Sequence, residues 1–378
     1  MVEHSIFRAL QKKQMVICIG PGGAGKTTLS AAMALAAANG GRRVACLSID
    51  PARRLADALG VSDLAADGQV KDVSYLLSEQ QGRLFFGMLD ARQSFDALIR
   101  EGRSVQGAER ILKNRLYRYV SSSLSGMQEY MALEYLCRLH ESGRFELVVL
   151  DTPPAGSATA FFSAAARIGN ALDGPLVRTM QRMYHRSGQN VDRMGRWSRS
   201  VFDVLRRMTG SELLDDMAEF IDAMSSLFGS FHDRASRLEA LLRSPEVEIT
   251  MVAQPDRASL RELTQLRESL THGGFHIDGV LFNRCHQPPV PDIPEHALPE
   301  DGRCAMGALN ARWNQHARRE HALMASFQNE HVVDYVCTLP FCIGTEEGAA
   351  DLKHLWNNVS LFVGQGDAGD SPSGVFAD

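Results

Sequence analysis

The 378-residue sequence has no excess of positive charge: its formal net charge is -5 and it carries no basic tail or stripe, which argues against a nucleic-acid partner. It has no apolar run of the roughly 20 residues that a bilayer-crossing helix needs. The N-terminal MVEHSIFRALQKKQ lacks the charged, apolar and small-residue order of a secretory signal, so a cytoplasmic location is the expectation. Cysteine is scarce and dispersed. The seven residues, Cys18, Cys46, Cys137, Cys285, Cys304, Cys337 and Cys342, are odd in number, and three fall inside apolar strand-like runs. Free core thiols are therefore expected rather than disulfides. What is present, 44% hydrophobic and 22% charged residues, is the composition of a soluble globular protein, long enough for one large domain or two ordinary ones.

The most informative stretch is IGPGGAGKTTLS, Ile19 to Ser30. Gly20, four further residues and then Gly25-Lys26-Thr27 make the phosphate-loop pattern G-x-x-x-x-G-K-[ST], the Walker A motif. The apolar run Met15 to Ile19 before it has strand character, and Leu29 to Ala38 after it is Ala-rich and favours helix. Glycines let backbone N–H groups turn inward around phosphate oxygens, and the helix that follows adds its N-terminal dipole. On this reading the cradle comprises Gly22, Gly23, Ala24, Gly25, Lys26, Thr27 and Thr28. Lys26 reaches the β- and γ-phosphates, and the Thr27 hydroxyl is a ligand of Mg2+.

Further strands are expected at Arg43 to Ile49, Leu84 to Leu89, Phe145 to Leu150, Val247 to Ala253, Ile277 to Asn283 and Val332 to Leu339. With the first, that makes about seven strands in an α/β, mostly parallel, doubly wound sheet of the P-loop NTPase class. Helices are expected before the first strand, over much of 91–143, at 257–270 and at 306–328. Residues 1–363 read as one domain with a long strandless insertion at about 160–245. There Leu213, Leu214, Met217, Phe220, Ile221, Met224, Leu227 and Phe228 recur at helical spacing. That stripe packs on the core or a partner subunit, or it lines an adaptable groove for an apolar client. The Pro-rich QPPVPDIPEHALPEDGR reads as a mobile loop, and residues 364–378 lack periodicity and read as a disordered tail. Two carboxylates end apolar strands, Asp50 and Asp151. Asp50 stands where open α/β sheets place their ligands, and Asp151, downstream of the phosphate loop, organises Mg2+, directly or through a bound water, or caps the next helix.

Three segments, GPGGAGKTT, SIDPARRLADALG and VVLDTPPAGSATAFF, resemble the deviant phosphate loop, switch I and switch II of the ArsA-like family. These are the arsenite-pump and tail-anchored-protein-targeting ATPases, which sit with MinD and ParA among dimeric P-loop ATPases. The likeness extends over about 14–355 and is weakest at 160–245. It implies Mg2+-dependent ATP hydrolysis used as a switch, in a homodimer or a heteromer, with Asp50 orienting the attacking water. Asn283 in VLFN and Pro340, followed by Gly344, match the family's adenine-side positions. No [NT]-K-x-D guanine-reading motif is present, which favours ATP over GTP.

Two departures stand out. Where the family has a lysine that reaches the partner's phosphates, this sequence has Pro21, with neither charge nor N–H. Arg53 or Arg54 substitutes as a cationic finger, or both are solvated surface charges, or a companion ATPase donates its own lysine. The alternative for the whole chain is a slow or non-hydrolysing ATP-binding subunit that regulates such a companion. The second departure is the family's zinc clasp, a C-x-x-C pair. The corresponding Arg303-Cys-Ala-Met-Gly307 holds one cysteine, and Cys285, His286 and His296 are poorly spaced for a tetrahedral site, so no structural zinc is expected. Arsenite would need a cluster of soft thiolates, which scattered cysteines do not supply. A small-molecule kinase would need an acceptor site and a lid that the sequence does not announce.

Overall fold

The computed structural model describes residues 5–49, 54–61, 70–78, 82–89, 94, 96, 99–100, 109, 112, 127–152, 155–172, 234–287, 300–341 and 349–362. All seven expected strands are there: β1 Met15–Ile19, β2 Arg43–Ser48, β4 Arg83–Met88, β5 Leu147–Asp151, β6 Val247–Ala253, β7 Gly279–Cys285 and β8 Tyr335–Pro340. Two more, β3 Lys71–Asp72 and β9 Ser360–Leu361, bring the described sheet to nine, in the order β3-β4-β2-β5-β1-β6-β7-β8-β9. The two additions are only two residues long, too short to leave an alternation in the sequence. Both pair antiparallel, β3 on β4 and β9 on β8, while the strands between them pair in parallel. Such short edge strands limit the unpaired backbone a sheet offers to another chain.

Buried on both faces, the central parallel strands read as nearly continuous apolar runs, and every residue of β1, β5 and β6 is buried. Alternation along β1 separates the two cores. Met15, Ile17 and Ile19 face helices Met127–Glu141, Ala155–Leu172 and Arg257–His272, together with a helix at 234–242. Val16 and Cys18 face the other side, where helices Ile6–Lys12, Lys26–Asn39 and Ala349–Asn357 lie. Helix Lys26–Asn39 is almost wholly inside, with Leu29, Ala31, Ala32, Met33 and Ala34 buried. Its alanines let it approach the sheet closely, and burying Leu29 and Met33 contributes about 1.5–3 kcal/mol each.

Helix boundaries moved at their ends. The long helix expected at 306–328 spans Glu300–Glu330. The Pro-rich composition up to Pro299 hid the earlier start of this helix from the sequence. Residues 155–172 and 234–242, at the two ends of the insertion between β5 and β6, are helical. The apolar stripe Leu213 to Phe228 and the tail 364–378 lie outside the described residues, as do residues 288–299 of the Pro-rich loop.

β1 has β5 on one side and β6 on the other. The chain leaves β1 for the β2 side of the sheet and later builds β6, β7 and β8 on the opposite side. Beyond the carboxyl end of β1 this divergence opens the crevice where open α/β sheets bind ligands.

Candidate phosphate-binding site

The loop Gly20–Gly25 occupies that crevice, between β1 and helix Lys26–Asn39. Two of its glycines are sterically required. At Gly20, φ is +150 and a Cβ would stand 2.0 Å from the carbonyl oxygen of Val252 in β6. At Gly25, the helix N-cap with φ +96, a Cβ would stand 2.2 Å from Nδ2 of Asn283. The loop is therefore pressed against the ends of β6 and β7, and only glycine permits that approach.

Lys26 is 7% exposed. Its Nζ donates to the carbonyl oxygens of Gly20, at 3.0 Å, and Pro21, at 2.8 Å. The ammonium is thus held over the loop by backbone dipoles, at a place from which it can turn to a phosphate.

Asp151 ends β5 with its side chain buried at 1% exposure. Parallel register sets Cys18 of β1 and Ser48 of β2 beside it. Its Oδ2 accepts hydrogen bonds from Thr27 Oγ1 at 2.9 Å and Ser48 Oγ at 3.2 Å. Next along the chain, Thr152 donates from Oγ1 to the Cys18 carbonyl at 2.6 Å and ties β5 to the base of the loop. The cluster offers two hydroxyls and a carboxylate, an all-oxygen set of the hard kind that Mg2+ prefers. Nearby thiols do not compete for such an ion. Burial pushes the Cys18 thiol up to about 12, and burial with the Asp151 charge raises that of Cys46 as well, so both stay protonated.

On the other flank, Gln254 follows β6 and donates from Nε2 to the Gly23 carbonyl at 3.0 Å. Asn283, 7% exposed in β7, donates from Nδ2 to the Ala24 carbonyl at 2.9 Å, and its Oδ1 accepts from Arg284 N at 2.9 Å. Pro340 is half-buried at the end of β8 and pairs with Cys285.

The fold thus brings together Gly22, Gly23, Ala24, Gly25, Lys26, Thr27, Thr28 and Asp151, with Asn283 against the loop and Pro340 on the neighbouring strand. Asp50 and Arg53 lie outside the described residues, and so does the side chain of Arg54, whose backbone opens helix Arg54–Leu59. Ile49, the residue before Asp50, donates its N–H to the Asp151 carbonyl at 3.1 Å. Ser48, Thr152 and Gln254 were missed in the sequence. Thr152 adjoins Asp151 and Ser48 stands two residues before Asp50, and nearness to those strand-end carboxylates was the available signal; Gln254 carried none. Cys285 and His286 are otherwise engaged. The Cys285 thiol donates to the Phe282 carbonyl and is pushed up to about 12 by burial, while His286 contacts the Glu320 carboxylate through its backbone N at 2.8 Å and Nδ1 at 2.7 Å.

Residues 13–359 match the family model described as anion-transporting ATPase. The chain belongs to that family. The resemblance read from the loop and the two switch segments is borne out over most of its length. Among curated members of the anion-transporting ATPases, the chain is 24% identical over 300 residues to a putative arsenical pump-driving ATPase 1 of Aquifex aeolicus, covering 76% of this chain and 65% of that protein. It is 22% identical to a second such protein of the same organism, covering 73% and 80%. It is also 24% identical to ATPase GET3 of Malassezia globosa, covering 74% and 75%. The chain therefore spans about two thirds of the first relative's length. In this family member no helix among the described residues is long and apolar enough to cross a membrane.

Proposed function

We propose that this chain binds ATP with Mg2+, hydrolyses it, and uses the cycle as a switch between associated and separated subunits, in a homodimer or a heteromer with a related ATPase. The observation that carries the proposal is the convergence of Thr27, Ser48 and Asp151 beside the buried Lys26 at the mouth of the loop. On binding, Lys26 exchanges the carbonyls of Gly20 and Pro21 for phosphate oxygens. Thr27 and Asp151, the latter through water, would hold the Mg2+, which when bound neutralises charge on the phosphates. Asp50, the next residue in sequence after Ile49, orients the attacking water, and the adenine lies beyond the ends of β7 and β8, where Asn283 and Pro340 sit. Movement of the segments that follow Ser48 and Asp151 would couple the nucleotide to the subunit contact, since both segments start from one shared hydrogen-bonded cluster. Residues 1–363 act as one nucleotide-binding unit carrying a helical insertion. That insertion is the place for an apolar client or a membrane-associated partner, as the resemblance to the tail-anchored-protein-targeting ATPases implies.

The relatives' arsenical names do not carry over as readily. Cys18, Cys46, Cys137, Cys285 and Cys337 are free, buried and raised in pKa chiefly by burial, so among the described residues soft thiolate ligands are not on offer.

A second reading, a slow ATP-binding subunit that regulates a companion, is favoured by Pro21. It is buried, and its carbonyl holds Lys26. Steady-state phosphate release by the purified chain, alongside Lys26→Ala and Pro21→Lys, tests both readings. We expect slow turnover that Lys26→Ala abolishes and Pro21→Lys raises. Fast turnover unaffected by Lys26→Ala would overturn the assignment of the site, and ATP binding without turnover in either the unmutated chain or Pro21→Lys would leave the regulatory reading standing.

A further inference from the structure

The phosphate loop is steered from outside by two amide side chains of the neighbouring strands. We propose that Gln254 and Asn283 are positioning residues which, by holding the Gly23 and Ala24 carbonyls, aim the Ala24 and Gly25 N–H groups at the phosphates. This inference rests on the reading of the loop as a nucleoside-phosphate site.

In a trans peptide the C=O of one residue and the N–H of the next lie in one plane and point in opposite directions. A bond that fixes the Gly23 carbonyl therefore fixes the direction of the Ala24 N–H, and one that fixes the Ala24 carbonyl fixes the Gly25 N–H. Gln254 Nε2 makes the first bond at 3.0 Å and Asn283 Nδ2 makes the second at 2.9 Å. The loop's other held carbonyls have different donors: those of Gly20 and Pro21 face Lys26 Nζ, and that of Gly25 accepts the first bond of the helix from Leu29 N. Peptides rich in glycine would otherwise sample several orientations, and orienting them at the moment of binding would cost affinity.

Both struts stand on rigid mounts. Gln254 N donates to Ser259 Oγ at 3.0 Å, and the Gln254 carbonyl accepts from Asp256 N at 2.8 Å, inside the turn where Asp256 caps helix Arg257–His272. Asn283 is locked in one orientation. Arg284 has φ 58, a left-handed conformation that brings its N–H back to Oδ1. Since an N–H must meet the oxygen, the NH₂ end of Asn283 faces the Ala24 carbonyl. Gly25 admits this contact because it has no Cβ.

A strut for the phosphate loop acts on every ligand that carries the phosphates, whereas a base-reading residue acts only on the right base. The test is calorimetric titration of the full chain with Mg2+-ADP, Mg2+-GDP and Mg2+-pyrophosphate, for the unmutated protein, Gln254→Glu, Gln254→Ala and Asn283→Asp, with thermal melts as the folding control. Gln254→Glu keeps the shape and replaces the donor by an acceptor. Its side chain is partly exposed, and the thermal melts check that the fold is kept. Each substitution is expected to weaken the ligands the unmutated chain binds by the same factor, about threefold to tenfold. Undiminished binding by both Gln254→Glu and Gln254→Ala overturns the strut role of Gln254. A loss at Asn283→Asp confined to ADP overturns that of Asn283 and makes it a base reader. If the unmutated chain binds none of the three, the nucleotide reading falls and this inference falls with it.

Discussion

At the end of the sheet remote from the loop, a buried carboxylate is out of place at neutral pH. Glu248, second residue of β6, is 3% exposed. Four groups face it. Lys13 Nζ lies 3.3 Å from its Oε2, Tyr335 OH donates to its Oε1 at 2.9 Å, Thr250 bonds that same Tyr335 OH at 2.8 Å, and the Asp278 carboxylate shares Lys13 at 3.5 Å. His276 and Asp334 flank Asp278 on its solvent side. Burial first and the Asp278 charge second raise the Glu248 pKa from 4.5 to about 7, against the opposing pull of Tyr335 and Lys13. The folded state therefore holds a proton that the unfolded chain has already lost, so stability falls as pH rises from about 4.5 through about 7 and then levels. At about 1.4 kcal/mol per pKa unit the expected decline is roughly 2–3 kcal/mol. The perturbation is Glu248→Gln, which keeps an acceptor for Tyr335 and removes the ionisation. Urea unfolding at pH 5, 6, 7 and 8 should show unmutated protein and variant nearly equal at pH 5, with the variant more stable by roughly 2–3 kcal/mol at pH 8. A variant that is instead less stable at pH 8, with no narrowing of the gap toward pH 5, would show that the Lys13 ion pair outweighs burial and would refute the reasoning.

Gly20→Ala should destabilise by about 3 kcal/mol or more, because its Cβ meets the Val252 backbone at 2.0 Å, whereas Gly23→Ala, in open space at φ +74, should cost only about 1 kcal/mol. Thermal melts of the two variants side by side check this, and equal losses would be contrary to it. Asp151→Asn keeps the acceptor for Thr27 and Ser48 but loses the charge, so Mg2+ should enhance nucleotide binding roughly 10- to 100-fold less while Mg2+-free binding is preserved. Titration of nucleotide with and without Mg2+ reads this directly, and an unchanged Mg2+ effect would remove Asp151 from the ion's surroundings.

The seven longer strands and the phosphate loop were legible because each is a local pattern. Met15 to Ile19 and Val247 to Ala253 are continuous apolar runs, and the glycines and lysine of the loop stand at set spacings. The two-residue edge strands were not, since Lys71–Asp72 and Ser360–Leu361 are strands only because β4 and β8 offer them partners. Asp151 could be singled out as a strand-end carboxylate, but nothing in the chain said that Ser48, over a hundred positions away, would share its oxygen with Thr27. The register of β2 against β5 decides that.

By itself the sequence determined the family, the alternation of strands and helices, and the chemistry of the loop from Gly22 to Thr28, since these rest on local residue order and on the φ values only glycine readily adopts. Pro21, too, is plain in the sequence as an uncharged residue in a loop built to handle phosphate. Only the tertiary structure decided how that loop is held. Gln254 and Asn283 arrive from strands on one side of β1, and Asp151 and Ser48 from strands on the other. Which side chains meet there follows from strand order and parallel register, long-range properties that the buried faces of the whole sheet settle together.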